Sequence, residues 1–146
     1  MGAELNEAKQ VVKALIEAHN RHDLEEMLSY ISDDVVMIDT VAPIPLNDKR
    51  DVRKLYEMIF STLPNIHFQT MFLIAEGNEV FAGFRTTGNG SGIWGGKDVT
   101  GKPFDVYEGI FVRVANGKVN YFMGFSDSAL LTRQLGGYEP ALGRQT

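Results

Sequence analysis

The sequence predicts an α+β domain in which helices pack against a strongly curved antiparallel sheet. Apolar residues recur mostly at helical spacing up to Leu63. After Pro64 the period of the apolar residues changes to two, which indicates consecutive antiparallel strands. The chain has 146 residues and 44% of them are hydrophobic, so residues 1–146 are expected to form one domain with a real core.

Two helices and a strand are predicted before the first proline. Residues 4–20 carry apolar side chains every three or four positions, which is typical of an amphipathic helix. Asp23 has the side chain of an N-cap for a short second helix that runs to about Tyr30. The β-branched run at 35–38 predicts the first strand, and Asp39 ends it.

A third helix, four strands and a fourth helix complete the predicted order. Asn47 or Asp48 can cap the third helix, which runs to about Thr62. Asn116-Gly117 is a strong hairpin signal between the last two strands. The tail after Gly137 is expected to be disordered or to pack on a partner. The predicted strands are 67–75, 80–87, 104–115 and 118–125, and the last helix is 128–135.

Charge and composition argue against several classes of protein. The net charge of −5 disfavours a nucleic acid or an anionic membrane as partner. The absence of cysteine excludes disulfides, thiolate nucleophiles and cysteine metal sites. No basic segment precedes an apolar leader, and no apolar run is long enough to span a bilayer, so we expect a cytoplasmic protein.

Residues 88–101 are rich in glycine and hold Trp94, the only tryptophan. Residues 90–95 match the spacing G-x-G-x-x-G literally, but a dinucleotide site needs a helix that begins in that loop. No helical pattern follows. We therefore expect a loop that sets Trp94 near the mouth of a cavity, as a pocket wall or a dimer contact.

Two features of the chain resemble the NTF2-like superfamily. The segment 20–38 contains His22-Asp23 and Asp33-Asp34 at the places where that superfamily has a His-Asp step and an Asp pair. The order of helices and strands is similar over nearly the whole chain. The resemblance implies a cone of helices packed in a strongly curved antiparallel sheet, with the first helix crossing the concave face. It also implies a homodimer formed through the outer sheet face, which alternation of aromatic residues would leave apolar.

The end of the chain is similar to the SnoaL-like polyketide cyclase branch, through Gly117-Lys118, Asp127 and Gln134-Leu135-Gly136. In those cyclases the matching aspartate is the general acid/base of a cofactor-free intramolecular aldol reaction. The resemblance therefore implies that role for Asp127, and an apolar cavity would raise the pKa of such a carboxyl group. From the residues alone, the alternative is that Asp127 caps the last helix.

Asp39 and His19 are further candidates. In ketosteroid isomerase, another member of the superfamily, a base aspartate stands at the place of Asp39, whereas from the residues alone Asp39 can simply start a turn. That isomerase also uses a tyrosine and a second acid at places that fall at Leu15 and near Gly109, and neither side chain can donate a hydrogen bond. His19 lies on the apolar stripe of the first helix. It can act there as a proton shuttle, or it can be a core histidine whose ring nitrogens are hydrogen-bonded.

The last strand departs from the SnoaL-like pattern. Those cyclases often carry Glu-His-Trp where this chain has Tyr121-Phe122-Met123. The change predicts a more apolar pocket, which either raises the pKa of Asp127 further or leaves binding without catalysis. Either Tyr107 or Glu108 can face this pocket, because apolar residues occupy both phases of their strand. The residues expected to line the pocket are Leu15, Met37, Trp94, Tyr121 and Met123.

The predicted function is cofactor-free lyase, cyclase or isomerase chemistry on a small, largely apolar molecule in an internal pocket. The candidate catalytic residues are Asp127, Asp39 and His19. A non-catalytic small-molecule-binding module and a dimerising structural domain are the alternatives. We expect no metal, because His19 and His22 have no third ligand at usable spacing, and no cofactor. The expected partner is a second copy of the chain, with no nucleic acid and no membrane.

Overall fold

The computed structural model describes residues 6–39 and 45–136 of the chain. Within these residues the predicted order of helices and strands is present, with one additional short hairpin. The helices are α1 (Glu7–Asn20), α2 (Leu24–Ser29), α3 (Lys49–Thr62) and α4 (Ser128–Gln134). The strands are β1 (Ile31–Ile38), β2 (His67–Glu76), β3 (Glu79–Asn89), β4 (Ile93–Trp94), β5 (Lys97–Asp98), β6 (Pro103–Ala115) and β7 (Lys118–Ser126).

Five strands form one sheet in the order β1-β7-β6-β3-β2. The strands β2, β3, β6 and β7 pair antiparallel, as the sequence predicts. The strand β1 is the exception, because it lies parallel to β7 with Met37 opposite Phe122. Since β1 joins the free edge of the last strand rather than a neighbour in sequence, alternation and turn signals carry no information about its direction.

Short polar side chains begin the four helices. Side-chain oxygens of Asn6, Asp23, Asp48 and Asp127 accept hydrogen bonds from main-chain amides in the first turns of α1, α2, α3 and α4. These amides have no partner within their own helix, so each cap stabilises the start of its helix. The predicted cap at Asp23 is confirmed. Of the two candidates for the cap of α3, Asn47 and Asp48, the structure has Asp48.

Two tight turns have the same backbone geometry. Asn116 and Gly117 have φ angles of 54° and 76°, and Gly95 and Gly96 have φ angles of 57° and 82°. Positive φ at both central residues is typical of a type I′ turn, whose twist suits a two-residue hairpin. The first turn confirms the hairpin between β6 and β7. The hairpin β4–β5 was not predicted, because each strand has only two residues, which are too few for an alternating pattern.

The helix α1 packs across the inner face of the sheet and contacts β2, β3 and β6. The pairing register shifts between Thr70 and Phe72 in β2 and between Arg113 and Val114 in β6, and such bulges bend and twist a sheet. The curved sheet thereby surrounds the helix with buried apolar side chains. The apolar inner-face residues of β3 and β6 that are at most 7% exposed are Val80, Ala82, Phe84, Phe104, Val106, Ile110, Val112 and Val114.

Within residues 6–39 and 45–136, no helix is long and apolar enough to cross a membrane. The cytoplasmic location stays a prediction. The tail after Gly137 lies outside the described residues, as do the first two residues of the predicted helix 4–20.

Candidate functional site

A cavity lies between the inner face of the sheet and the helices α1, α3 and α4. It encloses about 70 Å³ that is open to the centres of water molecules. A cavity needs about 10–15 Å³ to hold one buried water, so this space has room for more than one water-sized group. Most of its wall is apolar, including Ile59, Phe68, Phe84, Ile110, Phe122 and Leu131.

Polar side chains reach this cavity from separate elements of the fold. They are His19 of α1, Asp39 after β1, Tyr56 of α3, Glu108 of β6 and Ser126 of β7. A small number of polar groups that converge in an otherwise apolar pocket is typical of a ligand-binding or active site. The cavity is therefore the candidate functional site.

Asp39 is half-buried at the end of β1, next to the strand β7. A Cβ atom at position 124 would lie 2.7 Å from Oδ2 of Asp39, which is closer than non-bonded atoms approach. The missing side chain of Gly124 therefore leaves the space that the Asp39 carboxyl group occupies. Asp39 therefore lines the cavity, and its catalytic role stays a prediction.

Glu108 faces the cavity, whereas Tyr107 is 63% exposed on the opposite side of β6. Burial raises the pKa of the Glu108 carboxyl group, and the negative charge of Asp39 adds to the rise. The hydroxyl groups of Thr86 and Ser126 oppose this rise by stabilising the charged form. Within the described residues, these two buried hydroxyls have no partner at full hydrogen-bond geometry. Glu108 therefore keeps its proton at a higher pH than an exposed glutamate does.

Tyr56 is 8% exposed and presents its phenol to the same cavity. Burial raises the pKa of this phenol far above its ordinary value, and the charges of Asp39 and Glu108 raise it further. The phenol is therefore protonated at neutral pH and can donate a hydrogen bond to a ligand.

His19 is 3% exposed, and burial lowers its pKa to about 4. The amide of Asn20 donates through Nδ2 to the carbonyl of Phe68 and accepts from the Phe68 amide through Oδ1. This Oδ1 lies 3.4 Å from Nδ1 of His19 and can only accept, so the imidazole proton is on Nδ1. At neutral pH His19 is therefore uncharged, and its Nε2 is a hydrogen-bond acceptor.

His22 has a structural role. Its ring nitrogen Nε2 lies 2.8 Å from the carbonyl of Ile66, to which it donates, and its ring stacks on Phe60. Across the described ranges, no group of three or more potential ligand side chains is arranged to hold a metal ion.

Asp127 lies beside the cavity and is exposed. Its Oδ1 accepts a hydrogen bond of 3.0 Å from the amide of Leu130, so it caps α4. The residue borders a surface groove that shares Glu108 and Ser126 with the cavity, but it does not line the cavity itself. The structure shows the capping alternative, and the catalytic role of Asp127 stays a prediction.

Three of the residues expected to line the pocket lie on the inner side of the sheet. Trp94 lines the cavity. Leu15 and Met37 line a smaller adjoining void that shares His19 and Tyr56 with the cavity. Leu15 and Met37 therefore line the adjoining void rather than the cavity itself.

Tyr121 and Met123 lie on the outer face of the sheet, and the structure corrects their expected place. The ring of Tyr121 lies 4.9 Å from the guanidinium carbon of Arg113, on the exposed side of β6. Phe122, Gly124 and Ser126 of β7 are on the inward side and line the cavity. A run of three bulky residues has no polar–apolar alternation, so the sequence does not indicate which phase faces inward.

One polar side chain of the cavity, Tyr56, was not identified from the sequence. Tyr56 lies four positions after Val52 and three before Ile59, so helical spacing does place it on the buried stripe of α3. Glu108 was one of two alternatives with Tyr107, and the structure places Glu108 at the cavity. Leu15 and Gly109 have no side chain that can donate, whereas protonated Glu108 in β6 and Tyr56 in α3 can.

The site combines a carboxylate that can act as a base with groups that can donate. The negative charge of Asp39 disfavours ionisation of Glu108 in the same poorly solvated space, so Glu108 retains its proton to higher pH than an isolated carboxyl group does. Donors in such a space stabilise a negatively charged oxygen more strongly than they do in water. The arrangement suits the transfer of a proton next to a carbonyl group.

Comparison with known proteins gives one family. The family model described as SnoaL-like polyketide cyclase matches residues 9–135. Comparison with curated protein sequences gives no match.

Solved structures give the same fold. AclR, "a putative hydroxylase from Streptomyces galilaeus", is 23% identical with a TM-score of 0.79 over 89% of this chain and 81% of its own. IdmH, "a putative polyketide cyclase from Streptomyces antibioticus", is 23% identical with a TM-score of 0.77, over 88% and 98%. A Catenulispora acidiphila protein with a "ketosteroid isomerase-like protein fold", solved with trimethylamine, is 13% identical with a TM-score of 0.74, over 88% and 93%. Identities this low show the fold alone, and the match of the family model over most of the chain shows that this protein belongs to the SnoaL-like polyketide cyclase family.

Proposed function

We propose that this protein catalyses cofactor-free proton transfer next to a carbonyl group, in a cyclase, lyase or isomerase reaction on a small, largely apolar molecule. The observation that carries the proposal is the pair Asp39 and Glu108. The two carboxyl groups reach one apolar cavity from different strands, and burial together with the charge of Asp39 raises the pKa of Glu108. Perturbed carboxyl groups in a pocket are typical of acid–base sites.

Asp39 is the proposed base. It takes a proton from the carbon next to the substrate carbonyl, and the electron pair of the broken C–H bond moves to the carbonyl oxygen to form an enolate. Protonated Glu108 and Tyr56 donate hydrogen bonds to that oxygen. The enolate carbon then attacks a second carbonyl in the same molecule, whose oxygen takes the proton that Asp39 holds, or Asp39 returns the proton to a different carbon.

The family and one structural neighbour support the choice of ligand. The family is described as polyketide cyclase, and polyketides carry several carbonyl groups on a carbon skeleton. The Catenulispora protein holds trimethylamine, so a protein of this fold accommodates a small organic molecule. A small molecule with at least one carbonyl group is the proposed substrate class.

Hydrogen–deuterium exchange tests the proposal without a known product. The protein, dialysed against a chelator, is incubated in D₂O with a panel of cyclic ketones and β-diketones, and loss of the α-proton signal is followed by NMR. We expect accelerated exchange that Asp39→Asn lowers by roughly 10²–10⁴-fold. The matched variant Asp127→Asn decides between the two candidate acids, because retained exchange assigns the proton transfer to Asp39 and lost exchange assigns it to Asp127.

A non-catalytic binding protein is the second candidate function. Phe122 faces the cavity at the central place of the Glu-His-Trp pattern, and its side chain cannot exchange a proton. Ketones that bind, as shown by stabilisation against heat, but that exchange no proton above the buffer rate would favour this alternative.

A further inference from the structure

Trp94 and Leu131 separate the cavity from a groove on the surface. Each of them lines the cavity on one side and the groove on the other. The remaining groove residues come from α3, from the β4–β5 hairpin and from α4, and they are Met58, Ile93, Gly95, Ser128 and Thr132. The groove therefore adjoins the candidate site, and the side chains of two residues lie between them.

The groove exposes apolar side chains to solvent. Ile93 is 63% exposed and Met58 is 40% exposed. Apolar residues grouped at the surface beside a cavity are typical of a place where a ligand or partner binds. The acidic and imidazole groups lie in the cavity, whereas the groove contributes only the hydroxyl-bearing residues Ser128 and Thr132 as polar side chains.

The base of the hairpin is attached to the rest of the fold. The amide of Ser91 donates to the carbonyl of Thr62 at 2.7 Å, and the amide of Gly90 donates to the carbonyl of Lys102 at 2.9 Å. A Cβ at position 90 would lie 2.5 Å from the carbonyl oxygen of Val99, so only glycine allows the two sides of the base to approach. These contacts fix the base of the hairpin that carries Trp94, which lies between the cavity and the groove.

Most of the open space on this side of the molecule lies outside the cavity. The space open to the centres of water molecules is about 70 Å³ in the cavity and about 410 Å³ in the groove. A ligand larger than the cavity has to extend beyond it, and on the side of Trp94 and Leu131 the groove offers apolar contacts.

We infer that the groove is the second chamber of the substrate site, and that the substrate is an elongated molecule with an oxygenated end in the cavity and an apolar body in the groove. Trp94 and Leu131 are then the residues that set the length of the ligand. The inference rests on the proposed function only for the choice of a carbonyl group at the cavity end.

Two probes with the same polar end test the length of the site. Acetophenone has one ring, and 4-acetylbiphenyl adds a second ring in line with the first. We expect 4-acetylbiphenyl to bind more tightly in calorimetry and to shift the fluorescence of Trp94, which is the only tryptophan and therefore reports on this place alone. Equal affinity of the two probes, or no change in Trp94 emission with either, would overturn the inference.

A matched pair of isoleucine variants tests the groove itself. Ile93 in the groove is 63% exposed, and Ile74 on the outer sheet face is 62% exposed. We expect Ile93→Ser to weaken 4-acetylbiphenyl roughly fivefold, because apolar contact is lost, and to leave acetophenone unchanged. Ile74→Ser is expected to change neither affinity.

The alternative exit from the cavity is tested in the same assay. Phe125 lines both the cavity and the groove that contains Asp127. Loss of 4-acetylbiphenyl affinity in Phe125→Ser but not in Ile93→Ser would place the second ring on that side and contradict the inference. These assays measure binding. The absence of turnover would therefore contradict the proposed reaction without affecting the test of the groove.

Discussion

The position of the Asp39 carboxyl group depends on the lack of a side chain at Gly124. A Cβ at position 124 would lie 2.7 Å from Asp39 Oδ2, so Gly124→Ala must displace the carboxyl group. A displacement of about 1 Å in a catalytic group can lower the rate about 10²-fold. We expect Gly124→Ala to fold, since the φ angle of Gly124 lies outside the left-handed region, and to lower kcat for proton exchange by about that factor. Circular dichroism and thermal unfolding serve as the control, and unchanged exchange in the folded variant would contradict the assigned position of the base.

The buried His19 makes stability depend on pH. Its pKa is about 4 in the folded protein and 6.5 ordinarily, so between these values the unfolded chain binds more protons. The free energy of unfolding therefore falls as pH falls from 6.5 towards 4, by up to about 3 kcal/mol. The raised pKa of Glu108 acts in the opposite sense, because the folded protein then holds the extra proton.

The variant His19→Gln isolates this contribution. Urea unfolding at pH 7 and pH 4.5 gives the loss of stability on acidification for each protein. We expect the wild type to lose about 2–3 kcal/mol more than His19→Gln, because only the wild type must exclude the imidazole proton. The Glu108 contribution is common to both proteins and cancels. An equal loss in the two proteins would mean that His19 is not buried as a neutral group.

At the scale of elements, the cap of α4 has a measurable consequence. Asp127 accepts a hydrogen bond from the amide of Leu130, and asparagine can accept the same bond. We expect Asp127→Ala to lower the free energy of unfolding by about 1 kcal/mol and Asp127→Asn to lower it by much less. Denaturant unfolding checks the difference. Two variants as stable as the wild type would show that the cap does not stabilise the protein.

Elements with local signals could be predicted from the sequence. The caps at Asp23 and Asp48 and the Asn116-Gly117 turn depend on residues within a few positions of each other, and the structure contains all three. The phase of β7 could not be predicted, because Tyr121, Phe122 and Met123 are all bulky and apolar. Its inward side is decided by pairing with β6 across the sheet, which no short window of sequence records.

At the scale of the whole molecule, the fold was predictable and most of the site was not. The order of helices and strands follows from periodicity along the chain. The meeting of Asp39, Tyr56 and Glu108 depends on the curvature of the sheet and on the parallel placement of β1 beside β7. These contacts join segments that are distant in the sequence, and local patterns do not record them. The sequence therefore indicated Asp39 as a candidate but did not indicate Tyr56.

The outer sheet face exposes aromatic residues on neighbouring strands, namely Phe72, Phe81, Tyr107 and Phe125. Phe81 is central, because its ring lies 5.7 Å from Phe72 and 6.4 Å from Phe125. We propose that this face joins two copies of the chain, since exposed apolar patches are commonly interfaces.

Sedimentation velocity tests this assembly. We expect a dimer at micromolar concentration and a monomer for Phe81→Glu, because the new charge would be buried without a partner. The control Ile93→Glu adds the same charge away from this face and should remain a dimer. A wild-type monomer at micromolar concentration would count against the proposed interface.

The proposed function depends on the coupling of Asp39 and Glu108 in one poorly solvated cavity. NMR titration of the Glu108 side-chain carboxyl carbon, in the wild type and in Asp39→Asn, measures this coupling. We expect a pKa above the ordinary glutamate value of about 4.3 in the wild type, and a lower pKa in Asp39→Asn, because the neighbouring negative charge has been removed. A Glu108 pKa near the ordinary value that does not respond to Asp39→Asn would show that the two carboxyl groups are not coupled.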